Sequence, residues 1–469
     1  MPSRVAGPDR GTTRMWGGCR VNGGLSGGFK TLSGMAQNFL SCDRDQVLLL
    51  PPDMSEWLPA GHLARFVIET VDQLDVAGIY GYYRDDGHGR PAHDPAMMVA
   101  LVLYAYAVGV TSSRAIERRC VDDVAFRVIT ANRRPDHATI ARFLVRHREA
   151  LQGLFFDVLA LCRRAGMVKV GTVAVDSTKL AANASMDQNR TYEALRKEAE
   201  RIIEQAIETD RLEDELYGEK RGDELPEELA DPRTRKARIR ELLEQARGEQ
   251  EQAQAEREQL IERARERPGG RPKPEGGYRQ RQLESKKYNL TDPDSGIVRH
   301  RGTRMQGYNV QAAVADGQVI LATSVSRVSP DSGQLVPTIQ LARENLDRCG
   351  ITDQIEQVLA DSGYWQTKQI IELKQTGLDV LVAPLLRARS LDRANPEVQA
   401  MAARLHSEQG KAGYGRRQQI AEPVFAHWKH IRGIARLLRR GKAAVQAEID
   451  LIATTHNLLK LHRHTALPA

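Results

Sequence analysis

The sequence predicts an α/β protein with large all-α parts. Three observations carry this. A helical pattern runs from about Leu48 to Gly166. Short apolar strands, two of them closed by an acid, are spread between Gly171 and Val382. A long charged helical stretch separates the first of those strands from the rest.

Up to about residue 47 the chain is rich in Gly, Arg, Ser and Thr and has no hydrophobic periodicity. It reads as a disordered N-terminal extension, with no apolar segment of the kind a secretory signal carries and with Met35 as an alternative start. From 48 to 166 the pattern is helical. His62–Leu74 places Leu63, Phe66, Val67, Val71 and Leu74 at helix spacing. Gly78–Arg90 reads as a loop. Asp94 and Pro95 are the N-cap and first residue of a buried helix through Ala96–Val110. Ser112–Arg119 and Val121–Ile129 are short helices, and Asp136 caps another, His137–His147. The exposed face of that helix carries Arg142 and Arg146, with Arg148 just beyond. Short helices leading to an arginine-bearing one suggest a helix-turn-helix-like module that contacts DNA. A last helix, Leu151–Ala165, leads into the first strand.

That strand, Val173–Val175, is short and apolar and runs into Asp176-Ser177-Thr178-Lys179. Residues 189–286 then form a charged insertion: two long helices folded back as an antiparallel coiled-coil hairpin, closed by the basic linker Arg267–Gly277. Tyr308–Val314 and Val319–Val328 alternate across Asp316-Gly317 and predict a hairpin. A helix over Ser332–Arg348, a strand Val358–Ala360 ending in Asp361, a helix Gln366–Gln375 and a strand Leu378–Val382 follow. Beyond Tyr414 the pattern is helical to the end.

Composition narrows the function classes. The 469 residues carry a net charge of +7, with 41% apolar and 28% charged residues, and the pI of about 9.1 favours a polyanionic partner. Five scattered cysteines with no CxxC pair argue against a zinc site or a disulfide framework and fit a reducing cytoplasm. The longest apolar run is too short for a membrane helix, which needs about 20 residues.

Three acids stand out: Asp176 and Asp361 after strands, and Glu422 on a C-terminal helix. Phosphodiester chemistry uses two divalent ions about 4 Å apart, held by hard carboxylate oxygens, to activate the attacking oxygen and steady the leaving one. Other acids have simpler readings. Asp292 and Asp294 lie in a turn, Asp316 in the hairpin turn, and Asp331 caps a helix. Glu448 with His456 could mimic an acid/base pair, but their helix is expected to pack on the sheet.

The motifs VDSTKLAANAS, YNVQAAVADGQVILATSV, LADSGYW and Tyr414…Arg417…Glu422…Lys429 resemble, in that order, those of bacterial insertion-sequence transposases of the DDE type. GRPAHDPAMMVALVLYAYAVGVTSSRAIER and RPDHATIARF resemble that family's N-terminal helical domain. The resemblance covers roughly Leu48 to Leu461. It implies a ribonuclease-H-like mixed sheet in a catalytic domain formed by 167–188 and 287–469. It further implies that Asp176, Asp361 and Glu422 are the catalytic, metal-binding triad for two Mg²⁺ ions, with Mn²⁺ as a substitute. Tyr414, Arg417 and Lys429 become accessory residues. Arg417 would pair with DNA phosphate, although Arg416 is the alternative by spacing. Lys429 would lie two turns after Glu422 on the same helix face. The resemblance places Tyr364 and Trp365 beside Asp361, where they could stack on a flipped base, although core packing is the preferred reading. The expected activity is a nucleoid-associated DNA transposase, a homodimer at synapsis, that binds terminal inverted repeats and cuts and joins double-stranded DNA. Two other readings stay open: a metal-dependent nuclease of the same fold without strand transfer, and an inactive DNA-binding derivative.

Overall fold

A single long strand, β1 (Lys169–Ala181), organises the sheet. The computed structural model describes residues 54–83, 91–197, 241–249, 287–300, 302–384 and 395–466, with 201, 251, 252, 255, 258 and 259. The expected N-terminal extension, most of the 189–286 insertion and its basic linker lie outside these residues.

Among the described residues, seven α-helices precede β1: α1 (Leu63–Val71), α2 (Ala77–Tyr80), α3 (Pro95–Ala107), α4 (Ser113–Asp122), α5 (Val124–Ile129), α6 (His137–Arg146) and α7 (Arg148–Arg164). Caps fix their starts. His62 is not helical but accepts from Ala64 N (3.1 Å) at the head of α1. Asp94 accepts from Met97 N (2.8 Å) ahead of Pro95, and Asp136 accepts from Thr139 N (2.6 Å), as their positions in the sequence predict. α3 is apolar on every side and is buried on every side. α7 starts earlier than its apolar pattern suggests, so Arg148 is its first residue and not a tail of α6.

β1 is far longer than the three apolar residues expected of it. Its antiparallel partner β5 (Thr303–Asp316) stays in register from Val173↔Ala315 to Ala181↔Gly307, so the polar run after Val175 remains hydrogen-bonded strand. Gly307 permits the closest approach, because a Cβ there would lie 2.4 Å from Leu180 O. The parallel neighbour β7 (Gln357–Ala360) pairs only with Thr172–Val175. Asp176 therefore lies in the middle of its own strand, at the point where β7 stops.

With β4 (Gly296–His300), β6 (Ile320–Ser326) and β8 (Asp379–Val382), the sheet has the order β4-β5-β1-β7-β8, and β6 also pairs with β5. It is a mixed sheet: β4 and β6 pair antiparallel with β5, β5 antiparallel with β1, and β7 and β8 run parallel to β1. A separate ribbon joins β2 (Asn189–Thr191) to β3 (Lys287–Asn289), bringing the two ends of the insertion together. Beside it, Leu195, Leu242, Ala246 and Tyr288 form a small apolar cluster.

α8 (Leu335–Arg348), α9 (Thr367–Gln375), α10 (Pro396–His406), α11 (Glu408–Ile420), α12 (Glu422–Ala426) and α13 (Lys442–Ala466) complete the described chain. The expectation of continuous helix beyond Tyr414 fails in two places. His427–Ile431 is a π-helical turn. Between it and α13 the backbone is spent on β1: Ala181 N donates to Ala435 O (3.1 Å) and Leu437 N to Ala181 O (2.8 Å). One continuous apolar core joins the helices before β1 to the sheet and to α13.

Candidate active site

Asp176 projects from β1 where the sheet loses β7 as a neighbour. Its Oδ1 accepts from Ser177 N (2.8 Å), and its side chain is 14% exposed. Burial pushes its carboxyl up to about 6; the charges of Asp361 and Glu422 push the same way, against the Ser177 amide and Arg417. Both other acids are thus within electrostatic reach.

Asp361 follows β7. Ala360 is the register partner of Val175, so Asp176 and Asp361 are the residues that follow the last pair of the parallel ladder. It is the cap of the short 3₁₀ turn Ser362–Tyr364, accepting from Gly363 N (2.9 Å). Glu422 opens α12 and is half exposed.

Arg417 links the first acid to the third. Its guanidinium is 3.5 Å from Asp176 Oδ2 and 3.3 Å from Glu422 Oε1, and it lies 5.8 Å from the ring of Tyr414. Arg416 faces elsewhere, bonding Asp316 (2.8 Å) and Thr172 (3.2 Å). Of the two arginines that spacing leaves open, Arg417 is the one that stands beside the acids. Lys429 sits on the π-helical turn, which breaks the even helical phase counted from Glu422, and its Nζ donates to Lys179 O (3.0 Å). Arg142 and Arg146 are exposed on α6, away from this cluster in sequence and on a different element; Arg148 is half-buried at the head of α7.

Among the described residues no three His, Cys, Asp or Glu are already spaced as ligands of one ion. The donor chemistry nevertheless fits a hard divalent cation. Asp176 is raised chiefly by burial and further by the neighbouring carboxylates, so a positive charge is favoured here, and Arg417 is the cation that stands between Asp176 and Glu422.

The remaining acids sort differently from their sequence context. Glu448 is buried and accepts from Leu438 N and Arg439 N (3.0 Å each), while the Nε2 of His456 meets Gln318 O (3.0 Å); the two form no pair. Tyr364 is buried and Trp365 packs against the core, as expected. Asp292 and Asp294 are more than turn residues: they accept from Gly441 N (3.0 Å) and Lys442 N (2.7 Å) at the start of α13. Asp331 is not a helix cap. Its carboxylate pairs with Lys179 Nζ (3.0 Å) and accepts from Asn309 (2.8 Å) and Gln311 (2.9 Å). The signal available in the sequence was the run of uncharged polar residues in YNVQ and DSTK, which a strand buried on both faces would not otherwise carry.

Two family models match the chain, Transposase domain (DUF772) over residues 52–146 and Transposase DDE domain over 386–462. No curated protein and no solved structure matches. The first match covers α1 to α6 and the second covers Arg417, Glu422 and Lys429. The two matches fall in the order of the motifs along the chain, and together they support an insertion-sequence transposase of the DDE type.

Proposed function

We propose that the protein binds the terminal inverted repeats of its element, hydrolyses DNA at their ends and joins the freed 3′-hydroxyls to target DNA. The observation that carries this reading is Asp176 on β1 with Asp361 directly after the adjacent parallel strand β7, and Glu422 tied to Asp176 through Arg417. The sheet supports a ribonuclease-H-like assignment: counting β1, β5, β6, β7 and β8 as strands one to five, the order is 3-2-1-4-5.

Asp176, Asp361 and Glu422 would hold two Mg²⁺ ions, or Mn²⁺ in their place. When bound, these ions supply charge for the attacking and leaving oxygens. The chain's own residues do the rest. Asp176 gives a strand-based oxygen donor and Asp361 one from the capped turn after β7, and Glu422, half exposed at a helix start, adjusts to complete the set. Arg417 neutralises Asp176 and Glu422 before DNA arrives, and its fork then serves a phosphate. Lys429, close to the tail of β1, adds a point charge for the same backbone. Water and then a 3′-hydroxyl are the nucleophiles, so no protein–DNA covalent bond forms. Arg142, Arg146 and Arg148 contact duplex DNA, two copies of the chain act at synapsis, and the protein works at the nucleoid. No helix among the described residues is long and apolar enough to cross a membrane.

The test is cleavage of end-containing DNA followed by joining to a target plasmid. Asp176→Asn and Asp361→Asn should each lose roughly 10³-fold or more in cleavage, since removing a metal-holding carboxylate forfeits several kcal/mol of transition-state stabilisation. Both should still retard inverted-repeat DNA in a gel, with affinity falling steeply as salt rises. Cleavage that survives EDTA, or strand transfer by Asp361→Asn, would overturn the mechanism. Nicking without joining would favour a plain nuclease.

A further inference from the structure

The motifs around the acids carry polar residues that the three-acid mechanism leaves unused. On β1, Ser177 and Lys179 lie opposite Gln311 and Asn309 of β5. Strand alternation puts these four side chains on one face of the sheet, the face turned away from Asp176. Asp331, from the loop between β6 and α8, is set into that face. It accepts from Lys179 Nζ (3.0 and 3.2 Å), Asn309 Nδ2 (2.8 Å) and Gln311 Nε2 (2.9 Å). Both members of the ion pair are largely buried, with Lys179 17% and Asp331 13% exposed.

The network ends on the turn that holds Asp361. The other end of the Gln311 amide accepts from the hydroxyl of Tyr364, the last residue of that turn. The Oγ of Ser177 accepts a hydrogen bond from Lys179 Nζ (2.8 Å) and lies close to both Tyr364 and Asp331. Gly363 lies between two carboxylates: a Cβ there would be 3.0 Å from Asp361 Oδ1 and 3.4 Å from Asp331 Oδ2. The loop bearing Asp331 is held in turn by α9, where Gln369 Nε2 donates to Gly333 O (2.8 Å). The motif residues of DSTK, YNVQ and DSGYW thus meet around one carboxylate that belongs to none of them.

We propose that Asp331 is a positioning residue of the active site. Paired with Lys179, it clamps the turn that carries Asp361 to the strand that carries Asp176, working from the reverse face of the sheet. It thereby sets the spacing of those two carboxylates for a divalent cation. This inference rests on the three-acid reading. An ion pair serving stability alone would have no need to reach Tyr364 through Gln311, whereas a clamp must reach the Asp361 turn.

The experiment measures the rise in melting temperature that Mn²⁺ gives the full-length, DNA-free protein, as a function of Mn²⁺ concentration. Two variants perturb the clamp: Asp331→Asn, which removes the charge facing Lys179, and Tyr364→Phe, which removes a single hydroxyl and is the milder test of folding. Both should need about ten times more Mn²⁺ than the parent for half the maximal shift. Their retardation of inverted-repeat DNA should match the parent. Asp176→Asn and Asp361→Asn serve as references and should lose the Mn²⁺ shift altogether. If those references lose it while Tyr364→Phe and any folded Asp331→Asn titrate like the parent, the positioning role is wrong. If the references also keep the shift, it is the three-acid reading that fails. Should Asp331→Asn not fold, Tyr364→Phe decides alone.

Discussion

His456 is a buried imidazole on α13 whose Nε2 meets Gln318 O. Burial, reinforced by the charge of Arg432, pulls its pKa from 6.5 down to about 3. The folded protein therefore keeps this ring neutral at pH values where the unfolded chain takes a proton. Its contribution is fully present above pH 6.5 and is lost as pH falls from there toward 3, by up to about 1.4 kcal/mol per pH unit. His456→Gln keeps a donor for Gln318 O but cannot ionise. Its stability relative to the parent should improve by about 2 kcal/mol between pH 7 and pH 4.5, measured by urea unfolding at both values. Equal pH slopes for the two proteins would refute this.

The candidate site was unevenly legible in the sequence. Asp176, Asp361 and Glu422 could be picked out because apolar strands and short motifs surround them. Asp331 could not, since its partners Lys179, Asn309 and Gln311 come from strands far away in sequence, and Ser-Pro-Asp-Ser before a helix reads locally as a cap. Glu448 and His456 share a helix, which invites pairing, yet each is satisfied by a backbone group from a different segment.

At the scale of elements, α13 shows how a long helix is fixed at its start. Asp292 and Asp294, on the approach to β4, accept from Gly441 N and Lys442 N, the orphan donors of the first turn. Asp292 also takes the Tyr308 hydroxyl (2.9 Å) and is fully buried. Asp292→Ala strands a buried hydroxyl and a helix-start amide together and should cost about 2–4 kcal/mol. Asp294→Ala, at an exposed cap, should cost about 1 kcal/mol. Denaturant midpoints of the two variants test both numbers, and equal costs would contradict the division of labour. No local pattern could reveal this contact, because TDPDSG precedes the helix it caps by about 150 positions. The length of β1 was hidden for a related reason. Asp-Ser-Thr-Lys ends an apolar run, and only the in-register pairing with β5 makes those residues strand.

For the whole molecule, the helices before β1 and the sheet are completed by the same C-terminal helix. Asp450 of α13 accepts from Gln152 of α7 (2.7 Å) and from Thr323 of β6 (2.7 Å), while Asn457 bonds both backbone groups of Ile320 (2.9 Å each). Arg432, fully buried, donates to Tyr106 O at the end of α3 and to Ile452 O of α13 (3.1 Å). Gly109 packs so tightly beside it that a Cβ would stand 2.2 Å from Arg432 O. Segment 53–166, although it contains most of the part matched by the first transposase model, thus lacks the helix that covers the inner faces of α3 and α7. Leu154, Val158 and Cys162, buried here, would face water in the isolated segment, at about 1.5–3 kcal/mol for a large apolar side chain. That loss is comparable with the net stability of a small domain. The fragment 53–166 should therefore fail to melt cooperatively, whereas 53–469 should unfold its helices and sheet in one transition. Circular dichroism melts of the two proteins decide the matter, because a sharp transition in the fragment would mean that its helices form a core without α13.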